Sequence, residues 1–136
     1  MAASDIPVEV QAFLRDHIHS YEQLEAAVLF HREPARWWTE ETLAGTLRIG
    51  QEAAAEALAA LGGAGIVERG DATDAPAQYR AGRAWATSVA KLAELYETQR
   101  LDVIRLMNEN AMHRVRTNAM RAFADAFIFR KGGKHG

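Results

Sequence analysis

The segment from Thr39 to Arg80 constrains the fold more than any other part of this 136-residue chain. It opens with a helical pattern in which Leu43 and Leu47 lie four residues apart on one face. After a break at residues 48–50, a second helical pattern covers residues 51–61 and stops at a glycine-rich stretch, residues 62–65. Two β-like runs, 66–69 and 77–80, then enclose a turn-forming segment. The segment therefore predicts two helices joined by a tight turn and followed by a hairpin.

Helix, tight turn, helix and hairpin, in this order, are the layout of a winged helix-turn-helix. The run TLAGTLRIGQEAAAEALAALGGAGIVERG resembles the helix-turn-helix and first wing strand of MarR-type winged-helix regulators. The resemblance covers about a third of the chain and is carried by Thr39, Leu43, Ala44, Leu47, Ile49, Leu58, Leu61, Gly65, Ile66, Val67 and Arg69. We therefore expect a mainly α fold, a winged helix-turn-helix with a small β-hairpin wing and a long C-terminal helical extension.

The resemblance implies a DNA-binding transcriptional regulator that acts as a homodimer. Glutamine can pair with adenine and glutamate can accept from the cytosine amino group, whereas arginine supplies phosphate contacts. The residues predicted to contact DNA are Thr39, Thr46, Arg48, Gln51 and Glu52 in the two helices and the turn between them, and Arg69, Gln78, Arg80 and Arg83 around the wing.

The composition of the predicted recognition helix supports a second interpretation. Residues 51–61 contain two glutamates, six alanines and no basic residue. Recognition elements are normally cationic because a duplex is lined with phosphate. An alanine-rich acidic surface also suits contact with a basic protein. The alternative hypothesis is therefore a winged-helix protein–protein interaction module that does not bind DNA.

The charge is unevenly distributed along the chain. Residues 1–98 hold 8 Lys and Arg against 15 Asp and Glu, a net charge of −7, whereas residues 99–136 hold 8 against 3, a net charge of +5. The basic C-terminal tail is therefore a further candidate for DNA contact. Alternatively, the acidic and basic parts attract each other within a dimer.

The C-terminal half carries a coiled-coil-like pattern. Residues from Ala81 to about Asn110 are predicted to form one long helix, with seven positions spaced alternately by four and three residues: Trp85, Val89, Leu92, Tyr96, Gln99, Val103 and Leu106. This seam predicts homodimerisation. The alternatives are that it packs against its own domain, or that only its second half reaches a partner.

A last helix is predicted from Met112 to Arg130, after a break at residues 108–111. Met120, Phe123 and Phe127 lie on one of its faces, which predicts docking against another surface. Binding to a membrane surface is the weaker alternative, because the helix is basic and amphipathic. The two parts of the chain are therefore a winged-helix domain with N-terminal helices, 1–80, and a C-terminal helical extension with a basic tail, 81–136.

The N-terminal part is predicted to form two helices and a short strand. Pro7 is placed as the first residue of a helix with Asp5 as its cap, and Ser20 opens a capping box for a second helix that ends near Arg32. Trp37 and Trp38 precede the Thr39 cap. Neighbouring side chains of a strand point to opposite faces, so only one of these tryptophans can enter the core.

No motif in the sequence points to catalysis. The chain has no cysteine, and its five histidines fit no zinc-binding spacing. The glycine-rich stretch follows a helix and precedes a strand, which is the order of a helix stop and not of a phosphate-binding loop. No catalytic residue, metal or cofactor is predicted. There is no apolar run long enough to span a membrane and no signal-peptide pattern, so a cytoplasmic location is expected.

Overall fold

The computed structural model describes residues 6–72 and 75–133, with side chains described as far as residue 126. These residues form a mainly helical structure with a small antiparallel sheet. In chain order the elements are α1 (Val8–His17), α2 (Tyr21–Arg32), β1 (Trp37–Trp38), α3 (Glu40–Leu47), α4 (Gln51–Ala64), β2 (Val67–Arg69), β3 (Ala77–Tyr79), α5 (Ala86–Thr98) and α6 (Arg100–Gly133).

The three strands form a sheet in the order β1-β3-β2. Strands β2 and β3 make the predicted hairpin, in which Glu68 pairs with Gln78, and β1 adds to the other edge of β3. The side chain of Trp38 is fully buried, and its ring lies 6.4 Å from that of Phe30. Trp37 points to the opposite face and is 50% exposed. The predicted strand and the division of the two tryptophans are therefore confirmed.

One hydrophobic core takes side chains from both sides of residue 80. Helix α2 lies at its centre and contacts α3, α4 and α5, while α1 packs against α4, α5 and α6. The core side chains include Phe13 of α1, Phe30 of α2, Leu58 of α4 and Leu92 of α5. The residues predicted as a separate C-terminal extension thus contribute to the same core as the N-terminal helices.

Local capping accounts for several helix ends. The Ser20 hydroxyl accepts a hydrogen bond from the Gln23 amide at 3.1 Å, and the Gln23 carboxamide accepts one from the His19 amide at 2.8 Å. Pro7 caps α1 instead of being its first residue, and Asp5 lies outside the described residues. Helix α4 ends at Gly65, whose φ of 81° is in the left-handed region that glycine adopts without a steric penalty.

The C-terminal helices differ from the predicted ones. The helix expected to continue from Ala81 to Asn110 begins only at Ala86 and ends at Thr98, where Gln99 leaves the helical conformation with φ −137°. The break expected at residues 108–111 is absent, because α6 is continuous from Arg100 to Gly133. Residues 108–111 contain neither glycine nor proline, so nothing in the local sequence forces a break there. Helix α6 contacts both α5 and α1, and this packing requires the turn at Gln99.

Within the described residues, the helices are either too short or too polar to cross a lipid bilayer.

Candidate nucleic-acid interface

The start of α3 is fixed by two threonines. The Thr39 hydroxyl accepts a hydrogen bond from the Thr42 amide at 3.1 Å, and the Thr42 hydroxyl accepts one from the Thr39 amide at 2.9 Å. This reciprocal pair is a capping box in which threonine replaces the usual glutamate. Because the Thr39 hydroxyl is part of this cap, its main role is to fix the beginning of the helix.

The turn between α3 and α4 holds Arg48 in an unusual conformation. Arg48 has φ 57° and ψ 48°, the left-handed region, and it is the one non-glycine residue with positive φ among the residues described. The Ile49 amide closes the end of α3 by donating to the Ala44 carbonyl at 3.1 Å. A side chain in this region is strained by about 1–2 kcal/mol. Having the exposed arginine at this turn therefore lowers the stability of the fold.

Helix α4 presents a polar and acidic surface. Its buried side is formed by Ala54, Ala57, Leu58 and Leu61. The solvent side carries Gln51, Glu52, Glu56 and Ala59, so its charged groups are two carboxylates. Gly50 caps the helix without a side-chain hydrogen bond, which leaves the first backbone amides of α4 without a side-chain acceptor from the cap.

Arg69 ties the hairpin to α3. Its guanidinium donates from Nη2 to Glu40 Oε2 at 3.0 Å and from Nε to the Ala75 carbonyl at 3.0 Å. The two charged side chains are only 22% and 25% exposed. Hydrogen bonds from a charged donor are stronger than neutral ones, and these two join the first turn of α3 to both ends of the hairpin loop. Arg69 therefore fixes the position of the hairpin.

The two other predicted contact residues of the hairpin, Gln78 and Arg80, differ in exposure. Gln78 is half-buried and donates from Nε2 to the Ala35 carbonyl at 2.9 Å, which anchors β3 to the loop before β1. Arg80 is exposed, and its Nε lies 3.4 Å from Glu68 Oε2. An exposed ion pair of this kind contributes only about 0–1 kcal/mol to stability. Arg80 can therefore exchange Glu68 for another anion. Arg83 is also exposed, in the turn before α5.

The nine predicted contact residues thus divide into two groups. Three are half-buried and bonded within the chain, namely Thr39, Arg69 and Gln78. Six are exposed, namely Thr46, Arg48, Gln51, Glu52, Arg80 and Arg83. The structure brings Thr39 and Gln51 together in one shallow groove, which Glu40 and Glu41 also line.

The seam predicted for dimerisation lies largely inside the chain. Val89, Leu92, Tyr96 and Val103 are buried, and Trp85, Gln99 and Leu106 are half-buried. The Trp85 ring lies 5.3 Å from that of Phe13. A second copy could reach these side chains only by displacing α1 and α2, so their arrangement agrees with the alternative of packing against the chain's own domain.

Tyr96, a member of this seam, forms side-chain hydrogen bonds to helix α2. Its hydroxyl lies 3.0 Å from that of Tyr21 and donates to Glu25 Oε2 at 2.9 Å, which links α5 to α2. Burial, together with these two hydrogen bonds, raises the pKa of the Tyr96 phenol well above its ordinary value. The phenol therefore stays a neutral hydrogen-bond donor.

Apolar side chains on the outer side of α6 form a surface that was not predicted as a whole from the sequence. The exposed large hydrophobic residues of this helix are Leu101, Met112, Val115, Met120 and Phe123. Only Met120 and Phe123 had been assigned to a common face, and Phe127 has no described side chain. The sequence does contain a pattern that indicates this surface: a second series of positions in α6, spaced alternately by four and three residues and offset from the buried seam.

Two of the histidines make ring contacts with aromatic side chains. The His17 ring packs on Trp85 with centroids 4.6 Å apart, and the His31 ring packs on Tyr79 at 5.8 Å. In the described part of the chain, no three His, Asp or Glu side chains are grouped closely enough to hold a metal ion.

This chain matches no known family model, no curated protein sequence and no solved structure. What the chain can bind therefore follows from the exposed groups around α3, α4 and the hairpin.

Proposed function

We propose that this chain is a winged-helix protein that binds duplex DNA, with α3 and α4 as the helix-turn-helix and β2–β3 as the wing. The observation that supports this most is the exposed first turn of α4. It carries Gln51 and Glu52, and it begins three residues after the exposed Arg48. A recognition helix enters the major groove with the residues of its N-terminal turns against the base edges.

The exposed residues suggest a division of roles. Gln51 and Glu52 read base edges, since a carboxamide matches adenine and a carboxylate accepts from the cytosine amino group. Arg48, Arg80 and Arg83 contact phosphates and fix the orientation of the protein without reading sequence. Arg69 holds the wing against α3 through Glu40 and acts as a positioning residue.

A protein-interaction module is the second candidate, and the charge on α4 favours it. Glu52 and Glu56 lie one helical turn apart on the exposed side, where they repel phosphates and attract a basic surface. In that case the α4 surface binds a basic protein, and DNA binding is absent.

Charge reversal on α4 separates the two candidates. Under the DNA-binding proposal, the unmodified protein binds some genomic fragments more tightly than random duplex. The double variant Glu52→Lys/Glu56→Lys then loses this preference, by about 1–3 kcal/mol for each base contact removed. Its affinity for random duplex rises, and the salt dependence of that affinity becomes steeper by the equivalent of about two added phosphate contacts. Fluorescence-anisotropy titrations at several salt concentrations measure both effects.

The matched control is Glu9→Lys/Glu94→Lys, which makes the same change in net charge at exposed positions of α1 and α5. It should leave the preference among fragments intact. An unmodified protein that binds no fragment better than random duplex, and gains DNA affinity only in the α4 variant, supports the protein-interaction candidate instead.

Arg48 provides a second test, because its two expected effects have opposite signs. Glycine at this position accepts the left-handed conformation, so Arg48→Gly should raise the free energy of unfolding by up to about 1 kcal/mol. The same variant should weaken binding to all duplexes alike and lower the salt slope by about one contact. Urea denaturation and salt-dependent titrations give the two values. Arg48→Lys retains both the charge and the strain, so it should change neither the free energy of unfolding nor the salt slope. An unaltered salt slope in Arg48→Gly would show that Arg48 makes no phosphate contact.

A further inference from the structure

Helix α6 carries a second heptad pattern, on the side that faces away from the core. We call these eight positions, spaced alternately by four and three residues, the outer stripe: Leu101, Arg105, Asn108, Met112, Val115, Ala119, Ala122 and Ala126. All eight are exposed, whereas Val103 and Met107 on the opposite side are buried. Positions repeating every 3.5 residues form the contact surface of paired helices.

The outer stripe leaves several large apolar side chains exposed. Leu101 is 75% exposed at one end, Met112 and Val115 are exposed in the middle, and Phe123 flanks the other end with 75% exposure. Residues 118–126 are exposed on every side of the helix, so this part of α6 extends beyond the body of the protein. Large exposed apolar side chains grouped on one face indicate an interaction site.

We propose that a second copy of this chain covers the outer stripe, with the two α6 helices antiparallel about a two-fold axis. The stripe is self-complementary in this arrangement, because its positions are symmetric about a point between residues 113 and 114. Met112 meets Val115 of the other copy, and Asn108 meets Ala119. Arg105 and Leu101 then lie opposite the small side chains of Ala122 and Ala126. Large side chains in one half thus face alanines in the other.

The charges beside the stripe fit the same pairing. Glu109 and Arg116 each follow a stripe position. In the antiparallel arrangement, Arg116 of one copy lies two residues, about 3 Å along the axis, from the level of Glu109 of the other, within reach of its long side chain and twice in the dimer. Within one chain they are seven residues apart, about 10.5 Å along the helix axis, so they do not pair with each other. Neither has an ion-pair partner among the described side chains, those of residues 6–72 and 75–126.

The proposed contact differs from the seam first predicted on Trp85–Leu106. It uses the opposite side of α6 and leaves the core intact. It also does not depend on DNA binding, so either finding can fail without the other. The charges at and beside the stripe have both signs, with Arg105 and Arg116 on one hand and Glu109 on the other. This mixture suits a protein helix better than an anionic lipid surface, which selects for cations alone.

Charge swaps test both the partner and its direction. Glu109→Arg places arginine within reach of Arg116 at two symmetric sites, and Arg116→Glu places two glutamates together. Each single variant should raise the dimer dissociation constant about tenfold or more, since two attractive pairs become repulsive. The double variant Glu109→Arg/Arg116→Glu should recover the dimer, and an equimolar mixture of the two single variants should form heterodimers. Sedimentation equilibrium measures mass against the 15.0 kDa of one chain.

Ala124→Glu is the control, because Ala124 is exposed on the same helix but outside the stripe. It should dimerise like the unmodified chain. A chain that is monomeric at tens of micromolar, a range of about 10⁻⁵ M in which weak dimers are populated, overturns the proposal. So does a dimer that neither the swaps nor Met112→Glu weakens, and so does a monomer that sediments with vesicles of anionic phospholipid.

Discussion

Replacing Trp38 by alanine is expected to lower the free energy of unfolding by about 3–5 kcal/mol, the range for removing a large aromatic side chain from a core. Trp38 has no exposed surface and packs against Phe30, with the Arg36 guanidinium 3.9 Å from its ring centroid. The adjacent Trp37 is 50% exposed on the other face of the strand. Trp37→Ala should therefore change the free energy of unfolding by less than about 1 kcal/mol.

Urea denaturation followed by far-ultraviolet circular dichroism measures both variants. Trp38→Phe sharpens the comparison, because Trp38 Nε1 is buried and has no hydrogen-bond partner in the described part of the chain. Phenylalanine removes this unpaired donor and keeps an aromatic ring in the core, so its cost should be well below that of alanine. Similar losses for Trp37→Ala and Trp38→Ala would contradict the assignment of only one tryptophan to the core.

Introducing a charge at Val103 is expected to destabilise the whole fold, by about 3–5 kcal/mol, the order of the cost of an uncompensated buried charge. Val103 is fully buried on the core side of α6. Had this residue belonged to a dimer seam, Val103→Glu would give a folded monomer. We expect instead a large loss of stability, because the fixed position of α6 against α1 and α5 depends on this side chain.

Leu101→Glu is the matched variant on the other side of α6. Leu101 is 75% exposed and precedes Val103 by two residues, so the change should leave the free energy of unfolding of the monomer nearly unaltered. It should weaken self-association, since Leu101 belongs to the outer stripe. Thermal unfolding at low protein concentration, combined with sedimentation, distinguishes the two effects. A stable, folded Val103→Glu monomer would restore the original seam.

Much of the segment from Thr39 to Arg80 was determined by its own sequence. The cap at Thr39, the stop at Gly65 and the hairpin after it depend on residues that are close in the chain, and local hydrogen bonds or backbone conformations fix them. The alternation of Trp37 and Trp38 follows from strand geometry in the same way. The sequence also indicated which residues of α4 are exposed, because the positions of its buried alanines and leucines follow the helical period.

The C-terminal half was decided by tertiary structure. Its sequence contains two stripes with nearly the same period, and periodicity alone does not distinguish a stripe that packs within the chain from one that faces outward. The contacts of α5 and α6 with α1 and α2 bury one stripe, set the turn at Gln99 and leave Leu101 and Phe123 exposed.

The role of Arg69 was equally invisible in the sequence. Its partner Glu40 is 29 residues away, and only the folded hairpin brings the two charges within 3.0 Å. Hydrogen bonds between residues close in the chain depend only on the local backbone conformation, so they can be predicted from the sequence. Contacts between distant residues exist only once the core has fixed the elements that carry them, and for this reason the structure alone assigned Arg69 to holding the hairpin.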